Sequence, residues 1–92
     1  MENTILQANK LFEEGKINES LLIASSLFKK NDNDIDVLLL LAKINYKNQE
    51  WGEALNKLNK VLDLEPDNAI ARNYKKMVVE ILKFRHTDLY NP

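Results

Sequence analysis

The sequence has no cysteine, and it has only two glycines and two prolines in 92 residues. Without cysteine, a disulfide framework and thiol chemistry are excluded, and a reducing compartment is permitted. The N-terminus has neither a basic region nor a continuous apolar run, so it does not read as a signal peptide, and we predict a cytoplasmic protein. So few glycines and prolines favour long helices over a fold with many turns.

Neither sign of charge dominates, since the sequence has 13 Lys and Arg and 14 Asp and Glu, which gives a net charge of −1. Nucleic-acid binding needs a clustered basic face. The two lysine pairs, Lys29-Lys30 and Lys75-Lys76, are interpreted as solvated helix surface. The longest apolar run, Val37 to Ala42, is far too short to span a bilayer. We therefore predict no nucleic-acid partner and no membrane partner.

Residues that could perform catalysis or hold a metal are scarce. The single histidine, His86, precedes Asp88 by two positions and is interpreted as a solvated histidine. The segment NDNDID at 31–36 resembles an acidic calcium loop, but it lacks the central glycine and the closing glutamate. There is no glycine-rich phosphate loop. We predict that the protein is not an enzyme and that it uses no metal and no cofactor.

What the chain does have is an internal repeat. When the sequence is shifted by about 34 residues, residue class agrees along the register, as when Phe12 falls on Tyr46 and Ile17 on Trp51. Each copy reads as two helices, at 2–14 and 18–30 and then at 35–48 and 52–64, and a last helix runs from about 68 to 85. Predicted turns lie at Gly15-Lys16 and Gln49-Glu50. The predicted N-caps are Asn18, Asp34 and Asp67.

Small residues recur where the two helices of each copy must cross, and they let the backbones approach. These positions are Ala8 and Ser20 in the first copy, and Ala42 and Ala54 in the second. A single helix pair cannot bury its apolar stripe alone, so stacked pairs should share one core. Ile70, Tyr74, Met77, Val78 and Ile81 recur at helical spacing and should cover the second copy.

The second copy resembles the tetratricopeptide repeat in its length and pattern. The residues that carry the resemblance are Leu41-Ala42, Trp51, Ala54, Leu58, Val61 and Pro66, and the first copy is in phase through Ala8, Gly15, Ser20 and Asp32. The resemblance implies an all-α, right-handed superhelix of five antiparallel helices in a single domain, 1–92. Its parts are repeat 1 (1–34), repeat 2 (35–68), a capping helix (69–86) and a tail (87–92).

The resemblance also implies a function, because such arrays hold peptides or helices in a concave groove lined by the first helix of each pair. We therefore expect a protein-interaction scaffold with a protein or peptide partner. The implied groove residues are Ile5, Asn9, Phe12, Glu13, Asp36, Leu39, Lys43, Tyr46, Lys47, Asn73 and Met77. Phe12 and Tyr46, with Ile5 and Leu39, would form an apolar-aromatic strip. It reads either as core filling or as an anchor site.

Two further expectations concern partners. Chaperone-tail binding in this family needs a carboxylate clamp, and of the corresponding residues here, Ile5, Asn9, Leu40, Ile70 and Tyr74, only Asn9 fits. We predict no chaperone-tail binding. The alternative to partner binding is a self-associating structural module, or a fragment of a longer array. At the C-terminus, we expect the helix to end near Arg85 or His86 and Leu89 and Tyr90 to fold back onto it.

Overall fold

The computed structural model describes residues 4–90, and for 85–90 it describes the backbone alone. This part of the chain is all-α, which confirms the predicted fold class, and it contains no strand. Its helices are α1 (Ile5–Glu13), α2 (Ile17–Lys30), α3 (Ile35–Lys47), α4 (Trp51–Leu64) and α5 (Ala69–Tyr90). The right-handed superhelix stays a prediction.

Each odd-numbered helix begins at a side-chain cap. Thr4 Oγ1 accepts a hydrogen bond from the Gln7 amide at 3.2 Å, and Asp34 Oδ1 accepts one from the Val37 amide at 3.3 Å. At α5 the cap is Asn68, whose Oδ1 accepts from the Ala71 amide at 2.9 Å. Such caps satisfy amide groups that the first helical turn leaves without partners.

Of the three predicted N-caps, Asp34 is confirmed and two are wrong. Asn18 lies inside α2, which begins at Ile17 after Lys16 and has no side-chain cap. Asp67 is one residue too early, because Asn68 reaches the amide of α5 instead. Both Asp and Asn are good caps, so propensity alone does not choose between neighbours.

The two hairpin turns have the same backbone geometry. Gly15 has a φ of 82° and Gln49, at the equivalent position, has a φ of 61°. Beyond them, the Lys16 amide donates to the carbonyl of Leu11 at 2.8 Å, and the Glu50 amide donates to the carbonyl of Asn45 at 2.8 Å. These bonds close the carbonyl end of α1 and α3 in the same way.

The predicted small residues lie in the core, as expected. Ala8 and Ser20 are both 0% exposed, and the Ser20 hydroxyl donates to the Ala8 carbonyl at 2.8 Å, which joins α2 to α1. Ala42 and Ala54 are also 0% exposed and belong to one cluster that joins α3 and α4. At these positions a larger side chain would have to displace its neighbours.

Helix α3 is the centre of the structure, because it contributes to both core clusters. One of its sides, with Val37, Leu40 and Ile44, packs on the α1–α2 hairpin. The other, with Leu38 and Ala42, packs on α4 and α5. Helix α1 contacts α3, and α3 contacts α5, so the odd-numbered helices lie side by side.

Helix α5 is longer than the sequence indicated. It continues through Tyr90, so the predicted end near Arg85 or His86 is wrong. No glycine or proline occurs from Ala69 to Tyr90, and the turn-forming pair Thr87-Asp88 does not stop the helix. The side chains of Leu89 and Tyr90 lie outside the described residues, and a continuous helix contains no reversal that would fold them back.

The two turns allow a paired test of backbone strain. Gly15→Ala should destabilise the protein by about 1 kcal/mol, because a left-handed φ disfavours a side chain although nothing lies within 4 Å of the added Cβ. Gln49→Gly should stabilise the protein by up to about 1 kcal/mol, because glycine adopts a left-handed φ without strain. Part of this gain is offset because glycine raises the conformational entropy of the unfolded chain. Urea denaturation measures both. If both substitutions changed the free energy of unfolding in the same direction, the assignment of backbone strain to these two turns would be contradicted.

Candidate functional site

A cleft with both apolar and polar lining lies between the α3–α4 turn and α5. Its volume is about 590 Å³. The residues that line it are Tyr46, Gln49, Trp51, Met77, Glu80, Ile81 and Phe84. Three of the seven are aromatic, which is the composition of a site that buries apolar groups.

The length of α5 creates one wall of this cleft. Helix α3 has 13 residues and α5 has 22, so α5 continues beyond the helix it packs against. Met77, Ile81 and Phe84 recur at helical spacing and share one side of α5. Met77 is 38% exposed and Phe84 is 69% exposed, so this wall is apolar surface in contact with water.

The floor of the cleft is formed by Tyr46 and Trp51, and the Tyr46 ring also contacts Tyr74, which does not line the cleft. The ring centroids of Tyr46 and Trp51 are 5.3 Å apart at 75°, and those of Tyr46 and Tyr74 are 5.4 Å apart at 90°. These are favourable geometries for aromatic pairs. Tyr46, Trp51 and Tyr74 also pack on the cluster that joins α3, α4 and α5. The floor is therefore held in place by the core.

Trp51 carries a polar group that the fold does not use. Its Nε1 is buried and makes no hydrogen bond within the described residues. An unpaired buried donor costs roughly 1–3 kcal/mol. The indole therefore contributes to stability through its apolar packing on Tyr46 and on the cluster that joins α3, α4 and α5.

The polar groups of the cleft are few. Gln49 and Glu80 line it, together with the edge of the Tyr46 ring. The lining contains no histidine, serine or lysine within the described residues, so no acid–base pair or activated nucleophile is assembled there. The arrangement can bury an apolar side chain, and it can offer an amide and a carboxylate to the polar groups around that side chain.

The residues predicted for the groove differ in exposure. Ile5, Asn9, Phe12, Lys43 and Tyr46 are half-buried, Glu13, Asp36, Lys47, Asn73 and Met77 are exposed, and Leu39 is buried. Only Tyr46 and Met77 of this set line the cleft. Asn9 and Glu13 lie in a separate depression on α1, beside Leu6.

The residues of the predicted apolar-aromatic strip differ in their depth below the surface. Leu39 is 8% exposed and belongs to the core, so it is not available to a partner. Ile5 and Phe12 pack against the cluster of the first hairpin, and Tyr46 packs against the second. The strip is partly core filling, and Tyr46 is the member that also lines the cleft.

Sequence reasoning missed several residues of the cleft. The sequence pattern assigns Gln49 to a turn and Trp51 and Ile81 to packing, and it does not place Phe84 in a site. The signal that could have found them is the spacing of Met77, Ile81 and Phe84, which extends the apolar pattern of α5 past the length of α3. Length matching between neighbouring helices would have placed Phe84 outside the core.

The clamp positions bear on chaperone-tail binding. Leu40 is 1% exposed and Tyr74 is held between core residues and the Tyr46 ring. Neither side chain presents a cation or an amide to a bound carboxylate. That the protein does not bind chaperone tails stays a prediction, based on the residues at the clamp positions.

Among the described residues, no group of three or more His, Cys, Asp or Glu side chains is placed to hold a metal ion. In the same part of the chain, no helix combines the length and apolarity needed to cross a bilayer. Comparison with protein-family models, with curated proteins and with solved structures found no match for this chain. The tetratricopeptide resemblance therefore remains a prediction from the residues.

Two substitutions of Trp51 separate its packing from its unpaired donor. Trp51→Ala should destabilise the protein by roughly 3 kcal/mol, because it removes the ring that packs on Tyr46 and the core. Trp51→Phe should cost less than about 1 kcal/mol, since the loss of area is offset by removal of the buried N–H. Chemical denaturation measures both. A loss under about 1 kcal/mol for Trp51→Ala would place the indole outside the packing.

Proposed function

We propose that this protein is a non-enzymatic interaction module that binds a peptide or helix of a partner protein in the cleft. The observation that carries the proposal is the exposed apolar wall formed by Met77 and Phe84 over a fixed aromatic floor. Exposed apolar surface beside a preformed concavity is typical of recognition sites. An aliphatic or aromatic side chain of the partner would enter the cleft between Tyr46 and Phe84.

The energetics favour a moderate affinity. Burying one large apolar side chain contributes roughly 1.5–3 kcal/mol, which corresponds to about 10- to 100-fold in binding. The floor is already held by the core, so little ordering is needed on the side of the protein. Gln49 and Glu80 would orient the partner. Since the cleft contains only one carboxylate, its affinity should depend weakly on salt.

The repetition of backbone geometry supports the further proposal that the domain is a tetratricopeptide-like array. Equivalent hydrogen bonds close the two hairpins, and both turns place a residue with positive φ at the same position. The odd-numbered helices lie side by side, as the lining of a concave groove requires. In this proposal the cleft is the part of the groove between α3 and α5.

Self-association is a second candidate function, and the first hairpin favours it. Leu6 on α1 is 77% exposed, and Leu22 on α2 is 73% exposed. These are the most exposed large apolar side chains in the described part of the chain. Sedimentation across a range of concentrations tests it, because a self-associating module shows a mass that rises with concentration.

Selection from a display library of random peptides tests the cleft. Peptides enriched on the parent protein should share one apolar anchor residue, and Phe84→Glu should weaken their binding at least about tenfold, because it places a charge in the apolar wall. The matched control is Leu22→Glu, at an apolar side chain of similar exposure on the first hairpin. That control should leave binding unchanged.

Thermal melting of both variants accompanies the selection, and both should melt close to the parent because each substitution is at the surface. The proposal is contradicted if no peptide is enriched on the parent. It is equally contradicted if Phe84→Glu and Leu22→Glu retain the same peptides with the same affinity.

A further inference from the structure

A second surface of α5 joins an apolar floor to a row of cations. It is a furrow of about 690 Å³ between α4 and α5, which we call the end face, and it shares only Glu80 with the cleft. Its floor contains Leu62 and Pro66 from the α4 side and Val79 from α5, which is 37% exposed.

The charges of the end face are unbalanced. Arg72, Lys75, Lys76 and Lys83 line it, against two carboxylates, whereas the chain as a whole has a net charge of −1. With 3.6 residues per turn, these four cations and Val79 fall within a stripe roughly 100° wide on α5. Arg72, Lys75 and Lys76 form no ion pair with any described residue. Their positive field is therefore directed to the solvent and to whatever binds there.

The shape of the end face suits a helix. It extends along α5, beside the C-terminal end of α4 at Leu62 and the loop that follows, and a third helix can pack its side-chain ridge against that of α5. From Arg72 to Lys83 the stripe extends over roughly 16 Å, which is about three turns of a helix. An extended peptide would find no free strand edge on this all-α surface.

We propose that the end face docks an acidic amphipathic helix of a partner protein. Apolar residues of that helix lie on Leu62 and Val79, and its flanking Asp and Glu side chains face the cations Arg72, Lys75 and Lys76. The two carboxylates, Asp67 and Glu80, oppose a uniformly charged polyanion such as a nucleic acid or an anionic membrane. A helix with discrete charges can avoid them, and so charge pattern selects the partner.

Fluorescence anisotropy with a set of labelled synthetic peptides tests the proposal. Each peptide carries a leucine seam at helical spacing and glutamates on both flanks, and a matched peptide carries glutamine in their place. The acidic peptides should bind the parent protein, and raising the salt concentration should lower their affinity, because the contact is electrostatic. The glutamine peptide should bind at least about tenfold more weakly.

Protein variants locate the site. The double variant Lys75→Glu with Lys76→Glu should bind the acidic peptide at least about tenfold more weakly than the parent does. The control is Lys29→Glu with Lys30→Glu, an adjacent exposed lysine pair on α2, which should leave affinity within about twofold of the parent. Lys75 is half-buried, so a second variant is needed if its substitution prevents folding. Arg72→Gln with Lys76→Gln changes two exposed positions and should also weaken binding of the acidic peptide.

Several results would overturn the proposal. One is that the acidic peptides do not bind the parent protein, or that both lysine-pair variants bind them equally well. A second is that Phe84→Glu abolishes binding, which would move the peptide to the cleft and leave the proposed function intact. A third is that sedimentation shows a dimer that only Lys75→Glu with Lys76→Glu dissociates, which would make a second copy the occupant. A fourth is that single-stranded DNA or phosphatidylserine vesicles bind more tightly than the peptides through the same residues.

Discussion

Close crossing of the paired helices is the constraint on which the rest of the structure depends. It is made by alanine and serine at the contact points, all fully buried, and in the first hairpin by the hydrogen bond from Ser20 to the Ala8 carbonyl. The larger apolar residues of α3 pack on both of its sides, against the α1–α2 hairpin and against α4 and α5. This is how one helix comes to join two core clusters.

The same constraint determines what α5 can offer. One side of α5, with Ala71 and Val78, closes the core of the second hairpin, and both are 0% exposed. No helix in the described part of the chain covers its other sides. One of these sides carries Met77 and Phe84 and is apolar, and the other carries Arg72, Lys75 and Lys76 and is cationic. A single helix therefore presents two surfaces with different chemistry, and partners for the two should differ in their dependence on salt.

The sequence was sufficient for the fold class, the helix pairs, the turns and the small residues at the crossings. These features depend on local propensity and on periodicity, which a single chain displays. The end of α5 was not predictable in the same way. Thr87-Asp88 is compatible with a turn and with a helix, and only the absence of glycine and proline favours the helix.

The predicted groove and the cleft overlap in part. Tyr46 and Met77, two of the predicted groove residues, line the cleft, whereas Leu39 lies in the core because helical spacing specifies a face and not its depth below the surface. Phe84 was missed because its exposure depends on the difference in length between α3 and α5. The spacing of apolar residues indicates the length of each helix, but which helices are neighbours is a tertiary property that no local pattern contains.

Hydrogen exchange of the protein, alone and with a peptide selected on the cleft, tests the central claim that α5 binds partners with its uncovered apolar side. The account predicts slower exchange confined to residues 77–84 of α5 and to the α3–α4 turn at 48–50. The Phe84→Glu variant should show no such protection. Protection on the α1–α2 hairpin, or none on α5 while the peptide is bound, would contradict the account.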